Sequence, residues 1–416
     1  MTSVVVVGQG YVGLPVAIRA SEVGFKVIGL DVDQRKVNFL NRAESFIDDI
    51  SNDRIRAVLH SGNYKATSEY AETKDFDFAI ITVPTPLKES LPDLAYIEEA
   101  AHALSRYIKV GATIVLESTT YPGTTEELLV PILEAGSGLT AGEDFYVGYS
   151  PERIDPGNNK WNFVNTPKVI SGLNEASLEK VQALYDQLVE LTVPVSTPKE
   201  AELTKLLENT FRHVNIALVN ELAVFAHQLG VNIWESIEAA NTKPFGYMKF
   251  TPGPGVGGHC LPVDPSYLSW QVRRKLGTSF RFVELANDIN DHMPDYVVQR
   301  LLNLLNRSKK ALNGSTILIA GLAYKPNSGD LRESPSIKII ELLQEFGATV
   351  IAVDTFVPDY QWIEGVERVD LNEATVARSD AAVVVTPHED MDLSYLTGLP
   401  VLDTRNVMSG SEAELI

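Results

Sequence analysis

Two doubly wound α/β domains joined by a long central helix are the architecture this sequence predicts, and three observations predict it. Strand-like apolar runs alternate with helical stretches in the first part of the chain and again in the last, the pattern of parallel βαβ units. Each part opens with a β-branched run entering a glycine, residues 4–7 before Gly8 and 315–320 before Gly321. Between them, Leu207, Phe211, Val214, Leu218, Leu222 and Phe225 are spaced 4, 3, 4, 4 and 3 apart, a helical period.

The elements follow in order. Residues 4–7 are four valines bounded by glycine, as in a strand buried on both faces. A helix is expected from Gly13 to about Val23, then strands at 25–30 (ending at Asp31), 78–83 and 112–116. A long helix follows Pro198, with the apolar stripe on one face. Lys205, Asn209, Arg212 and Asn220 lie on another, which faces either solvent or a polar cavity. The last part repeats the first, with strands at 315–321, 349–353 (ending at Asp354), 381–385 and 401–402, a helix at 336–346 and a loose end over 408–416. Domains are expected at 1–196, 197–300 and 301–416.

Composition narrows the function. The chain has 416 residues, with 35 basic against 55 acidic side chains, so 35 − 55 = −20. That balance argues against a nucleic-acid partner, because phosphate contact needs a basic face. No run approaches the roughly 18–20 apolar residues of a membrane span, and residues 1–7 lack the features of a signal peptide. The single cysteine allows neither an intrachain disulfide nor a Cys-rich zinc site, so a cytoplasmic protein without a metal is expected.

Gly8-Gln9-Gly10-Tyr11-Val12-Gly13 stands between a buried strand and a helix, and Asp31 closes the next strand. That context is a dinucleotide fingerprint. Gly8 permits the tight turn, Gly10 lets the backbone approach a pyrophosphate, and Gly13 permits close helix–strand packing. Asp31 can accept from both ribose hydroxyls and would repel a 2′-phosphate, which favours NAD.

Residues 250–265 read FTPGPGVGGHCLPVDP. Their glycines and prolines predict a loop, neither helix nor central strand, that holds Cys260 in place with Asp264 four residues on. Gly255, Gly257 and Gly258 would admit a bulky ligand close to the main chain. His259 is adjacent to the thiol and is not assigned as its base. A thiol beside a nicotinamide suggests a four-electron oxidation. Alcohol becomes aldehyde, the thiolate traps it as a thiohemiacetal, a second hydride loss leaves a thioester, and water releases an acid. A two-electron hydroxyacid or polyol dehydrogenase, and a non-catalytic NAD- or nucleotide-binding regulator, remain open on these residues.

Seven motifs run in order: GQGYVGLP at 8–15, VPTP at 83–86, ESTTYPGTT at 117–125, SPER at 150–153, TKLLENTFRHVNIALVNE at 204–221, GPGVGGHCLPVDP at 253–265 and GLAYKPNSGDLRESPS at 321–336. Over essentially its whole length the chain resembles the UDP-sugar 6-dehydrogenase family. The resemblance implies two Rossmann-like domains, NAD as cofactor, a nucleotide-sugar substrate and a homodimer through the central helix. It implies Cys260 as thioester nucleophile, with Lys205, Asn209 and Asp264 holding the C6 oxygen and a water. Thr119 is implied between nicotinamide and substrate, and Glu152 as the carboxylate assisting hydrolysis. Thr85, Thr119, Tyr11, Val12 and Arg332 are implied at the cofactor. Arg153, Arg212, Tyr247, Gly257 and Lys325 are implied at the substrate. Many UDP-glucose enzymes carry a second acid where this chain has Pro156, leaving Asp155 as a loose substitute, and Lys243 stands near the place of an arginine that reaches the partner's site. The wording at 151–158 and 243–255 is closer to the UDP-N-acetylglucosamine branch. UDP-glucose, UDP-N-acetylmannosamine and dTDP-glucose remain alternatives.

Overall fold

The computed structural model describes every residue except 1, 48–49, 89–90, 155–157, 159, 259 and 409–412, with the backbone alone at Cys260 and Pro262. Asp155, Pro156 and His259 therefore lie outside the described residues. The chain divides into two compact units, Met1–Glu208 and Asn209–Ile416.

The first unit carries β1 (Ser3–Val7), β2 (Lys26–Leu30), β3 (Tyr64–Thr67), β4 (Phe78–Ile81), β5 (Thr113–Leu116) and β6 (Tyr146–Tyr149). They form one parallel sheet in the order β3-β2-β1-β4-β5-β6. The strand order reverses between β1 and β4, the switch point at which doubly wound sheets bind ligands. A smaller parallel pair, β7 (Lys168–Ile170) with β8 (Thr192–Pro194), and a short antiparallel pairing of Leu87–Lys88 with Leu91–Pro92 also belong to the unit. The second unit repeats the order with β9 (Thr316–Ala320), β10 (Thr349–Val353), β11 (Glu367–Arg368), β12 (Ala381–Val384), β13 (Val401–Asp403) and β14 (Glu414–Leu415). Its sheet runs β11-β10-β9-β12-β13-β14, again all parallel. The α/β class and the expected strands are present, each within two residues at either end. Residues 4–7 and 317–320 are wholly buried, as their uninterrupted apolar runs require. Among the described residues no helix is long and apolar enough to cross a membrane.

Two expectations are corrected, and the facing of the long helix, left open by its sequence, is decided. The end of the chain is not loose over its last residues: β14 pairs with β13, and Arg300 and Arg307 both bind the Glu414 carboxylate. Ile416 is buried beside that pairing. The proline-rich segment is not all loop, because a helix runs from Cys260 to Leu276. Pro262 falls in its first turn, where a missing N–H is tolerated, and only Pro265 removes an interior bond. On the long helix Pro198–Leu229 the polar face is the buried one and the apolar stripe the exposed one. Leu207, Phe211, Leu218, Leu222 and Phe225 are 43–62% exposed, whereas Lys205, Asn209 and Asn220 are at most 8% exposed. Arg212 is exposed.

Asp354, just after β10, shows how closely the second sheet closes on itself. Its Oδ2 accepts the N–H groups of Leu322 and Ala323, and its Oδ1 those of Phe356 and Val357. The His388 Nδ1 accepts the Asn327 N–H, so Nε2–H donates to Asp354 at 2.9 Å. Burial alone would raise this carboxyl, but His388 and the amides outweigh it and hold it at about 2. A carboxyl lowered from 3.8 in the unfolded chain stabilises the fold above pH 3.8, and that contribution is lost as pH falls toward 2. Asp354→Asn is expected to cost about 2 kcal/mol at pH 7. Urea unfolding at pH 7 and pH 2.5 should show the parent–variant gap narrowing in acid.

Candidate active site

In the first unit the glycine turn has the form a dinucleotide needs. Gly8 has φ +95°, and a Cβ there would stand 2.7 Å from the Thr82 carbonyl oxygen. A Cβ on Gly13 would stand 1.9 Å from the Gly8 carbonyl oxygen, so both glycines are demanded by the protein itself. Gly10 differs: nothing lies within 4 Å of its Cβ position, which leaves the room a pyrophosphate would fill at the N-terminus of helix Gly13–Glu22. Asp31 is buried and accepts the Gln9 N–H through Oδ2 and the Asp33 N–H through Oδ1, with Lys36 paired at 3.1 Å. Tyr11 is exposed, Val12 and Thr119 are half-buried and Thr85 is buried.

A buried charged cluster lies in the same unit. Glu152, after β6, accepts the N–H groups of Arg153 and Ile154 through Oε1 at 2.6 and 2.5 Å. Its Oε2 accepts from Lys168 Nζ at 3.4 Å. Lys168 also donates to the Pro151 carbonyl at 3.3 Å and pairs with Glu117 Oε2 at 3.1 Å. Tyr185 donates to the other Glu117 oxygen. Burial pushes the Glu117 carboxyl up, and Lys168 pulls against it. Burial would strip Lys168 of its proton, but Glu117 and Glu152 outweigh it and hold it charged. Removing one member of such a buried set typically costs about 3–5 kcal/mol. Lys205 Nζ donates to the Glu152 carbonyl at 2.5 Å. Arg153 turns the other way, onto Glu208 and the Pro167 carbonyl.

The sequence reading missed Glu202. Its buried carboxylate accepts from Gly123 N–H, Thr125 N–H and the Thr125 hydroxyl at 2.5–2.9 Å, anchoring the turn that follows Thr119. Burial raises it to about 7. The available signal was its place three residues before Lys205, on the same helical face.

In the second unit the cysteine segment is held on both sides of Cys260, the first residue of its helix. Asn209 Nδ2 donates to the buried Asp264 carboxylate at 2.5 Å. Upstream, Gly253 N–H donates to Asn220 Oδ1 at 2.9 Å. Asn220 Nδ2 donates to Asn290 Oδ1, Asn290 reaches His213, and His213 Nε2 meets Asn287 Oδ1. Burial lowers the His213 pKa, so this chain of side chains is uncharged. The loop glycines are packed against protein: a Cβ on Gly257 or Gly258 would stand 2.6–2.7 Å from the Tyr324 side chain, and one on Gly255 would stand 3.3 Å from Pro335 and the Asn290 carbonyl. Tyr247 is exposed, Lys325 is half-buried, and Arg332 pairs with Asp330. Arg405, after β13, was also missed. Its Nε donates to the Val385 carbonyl, a Gly253 Cβ would meet its Nη1 at 2.5 Å, and burial lowers it to about 10, still a cation at neutral pH.

Three consecutive domains of one family match the chain. They are the NAD binding domain of the UDP-glucose/GDP-mannose dehydrogenase family over residues 2–189, its central domain over 199–292 and its UDP binding domain over 318–410. A UDP-N-acetyl-D-mannosamine dehydrogenase of Pyrococcus horikoshii is 37% identical, over 93% of this chain and 90% of that protein. An NDP-N-acetyl-D-galactosaminuronic acid dehydrogenase of Ralstonia solanacearum is 36% identical over 97% and 96%. A UDP-N-acetyl-D-glucosamine 6-dehydrogenase of Salmonella typhi is 35% identical over 93% and 90%. Among solved structures, the UDP-D-ManNAc dehydrogenase of Pyrococcus horikoshii superposes with a TM-score of 0.90 at 34% identity, covering 100% of this chain and 99% of that one. A UDP-glucose dehydrogenase from Pyrobaculum islandicum gives 0.89 at 29% identity, covering 100% and 96%.

The glycine geometry separates two roles. Gly10→Ala should leave thermal unfolding unchanged while weakening NAD binding about tenfold or more, since its methyl would take the open space. Gly13→Ala should lose both affinity and about 1–3 kcal/mol of stability, because its methyl collides with backbone. Calorimetric NAD titration and urea unfolding measure the two effects; parent-like NAD binding by Gly10→Ala would place the pyrophosphate elsewhere.

Proposed function

This chain belongs to the UDP-glucose/GDP-mannose dehydrogenase family, and from that premise we propose that it oxidises the C6 hydroxyl of a UDP-linked N-acetylhexosamine to the uronic acid through a thioester on Cys260. The observation that carries this reading is the cysteine at the start of a helix, its segment held by Asn209 through Asp264 and by Asn220 through Gly253. Helix N-termini favour a thiolate over a thiol. The names of relatives in the mannosamine, galactosamine and glucosamine series support an N-acetylated sugar.

Bound NAD would supply the hydride acceptor for both oxidations. Cys260 adds to the C6 aldehyde, and the thiohemiacetal so formed loses the second hydride to become a thioester. Lys205 and Asn209, one turn apart on their helix, stabilise the oxyanion at each stage, and Asp264 orients the attacking water. Thr119 lies beside the reacting carbon. Glu152 assists the water that cleaves the thioester, which frees the acid and restores the thiol. Arg332 and Thr85 serve the cofactor, with Gly8, Gly10, Gly13 and Asp31. Lys325 and Arg405 meet the diphosphate, and Arg212, Tyr247 and Gly257 complete the substrate contacts, the Arg153 guanidinium being taken up by Glu208 and the Pro167 carbonyl. In this reading residues 1–196, 197–300 and 301–416 are the NAD-binding, central and nucleotide-binding parts, working in a reducing cytoplasm.

The exposed stripe of the long helix supports a homodimer. Five large apolar side chains on one face are too many to leave in water, and a face of this kind is self-complementary about a two-fold axis.

Two outcomes are expected. A screen of UDP-N-acetylglucosamine, UDP-N-acetylmannosamine, UDP-N-acetylgalactosamine, UDP-glucose and dTDP-glucose should show two NADH released per N-acetylated sugar, and Cys260→Ser should stop acid formation. One NADH per sugar, or acid released by Cys260→Ser at the parent rate, would overturn the thioester route. Leu218→Glu with Leu222→Glu should convert the dimer to a monomer in light scattering, while parent-like mass would move the interface to another surface.

A further inference from the structure

Glu117, Lys168 and Tyr185 were not singled out by role in the sequence, yet they surround Glu152 in a dry pocket of the first unit. Lys168 is the hub. Its ammonium meets three oxygens: the Pro151 carbonyl at 3.3 Å, Glu152 Oε2 at 3.4 Å and Glu117 Oε2 at 3.1 Å. Both Lys168 and Glu117 are buried, so water does not screen their charges. Every other polar group here has a defined place. Tyr185 donates to Glu117, Lys205 takes the Glu152 carbonyl, and the Arg153 guanidinium faces Glu208. Among the described residues Lys168 is thus the cation directed at both carboxylates.

We propose that Lys168 is a positioning residue for thioester hydrolysis: it aligns Glu152 and offsets the negative charge that Glu117 would otherwise impose on it. The proposal rests on Glu152 assisting hydrolysis, as read above. Without Lys168 the two buried carboxylates repel and share a proton as a coupled pair, so Glu152 is ionised for a smaller fraction of the time at neutral pH. Glu152 then assists water only at higher pH, while the thiohemiacetal still forms on Cys260 and still loses its hydride.

The test uses the full chain, excess NAD and whichever UDP-sugar the screen shows to be turned over. The single cysteine lets intact mass report the acyl-enzyme without ambiguity. Lys168→Met should accumulate acyl-enzyme at least about tenfold over the parent. Its hydrolysis rate should rise with pH along a limb displaced upward by about one unit. Lys168→Arg should restore most of the rate. Lys168→Met with Glu117→Gln, which removes the Lys168 charge together with one of the two carboxylates it faces, should bring the limb back toward the parent while acyl-enzyme still accumulates. Acyl-enzyme accumulating in Glu152→Gln, but in neither variant lacking Lys168, would overturn this proposal alone. No acyl-enzyme in any variant would overturn the thioester reading and this proposal with it.

Discussion

The burial of a polar stripe on one helix is the constraint from which much of this structure follows. Glu202, Lys205, Asn209, His213 and Asn220 are spaced 3, 4, 4 and 7 apart and all are buried. A polar group withdrawn from water must find a partner or destabilise the fold, and each of these does. Glu202 takes the amides of the turn after Thr119, and Lys205 takes the Glu152 carbonyl. Asn209 takes Asp264, His213 takes Asn287, and Asn220 takes Gly253 and Asn290. The segments these bonds fix are those that carry Thr119, Glu152 and Cys260. Within each unit, the helix therefore anchors the segments that carry these residues.

The two sheets share a strand order and differ in how they treat the acid after their second strand. Asp31 accepts two amides and a half-exposed lysine, so a ribose can compete for its remaining lone pairs. Asp354 accepts four amides and a histidine N–H. Its acceptor capacity is spent inside the protein. The same backbone pattern thus leaves an acid with spare acceptor capacity in one unit and a structural latch in the other, in keeping with the general independence of site from fold. The cluster around Lys168 shows the same economy, with one buried ammonium satisfying three oxygens that no apolar side chain could.

Much of this was legible in the linear pattern. Strands such as 4–7 and 317–320 are continuous apolar runs, and burial on both faces makes such runs conspicuous. The glycine turn was legible because positive φ and close backbone approach admit few other residues. Strands with an interrupted apolar pattern were not: β3 (YKAT) and β6 (YVGY) carry polar residues or glycine and are held by neighbours already in the sheet. The helix beginning at Cys260 was obscured by prolines whose effect depends on where in the turn they fall.

What the sequence by itself determined was the kind of chemistry: a dinucleotide turn, a lone cysteine and a set of polar residues at helical spacing. Which way that helix faces was decided only by the tertiary structure. Its apolar and polar stripes have nearly the same period, and periodicity cannot say which of two faces is turned inward. The answer came from Asp264, Gly253, Asn287 and the Glu152 carbonyl, distant in the chain, which supply the partners that make burying the polar face favourable.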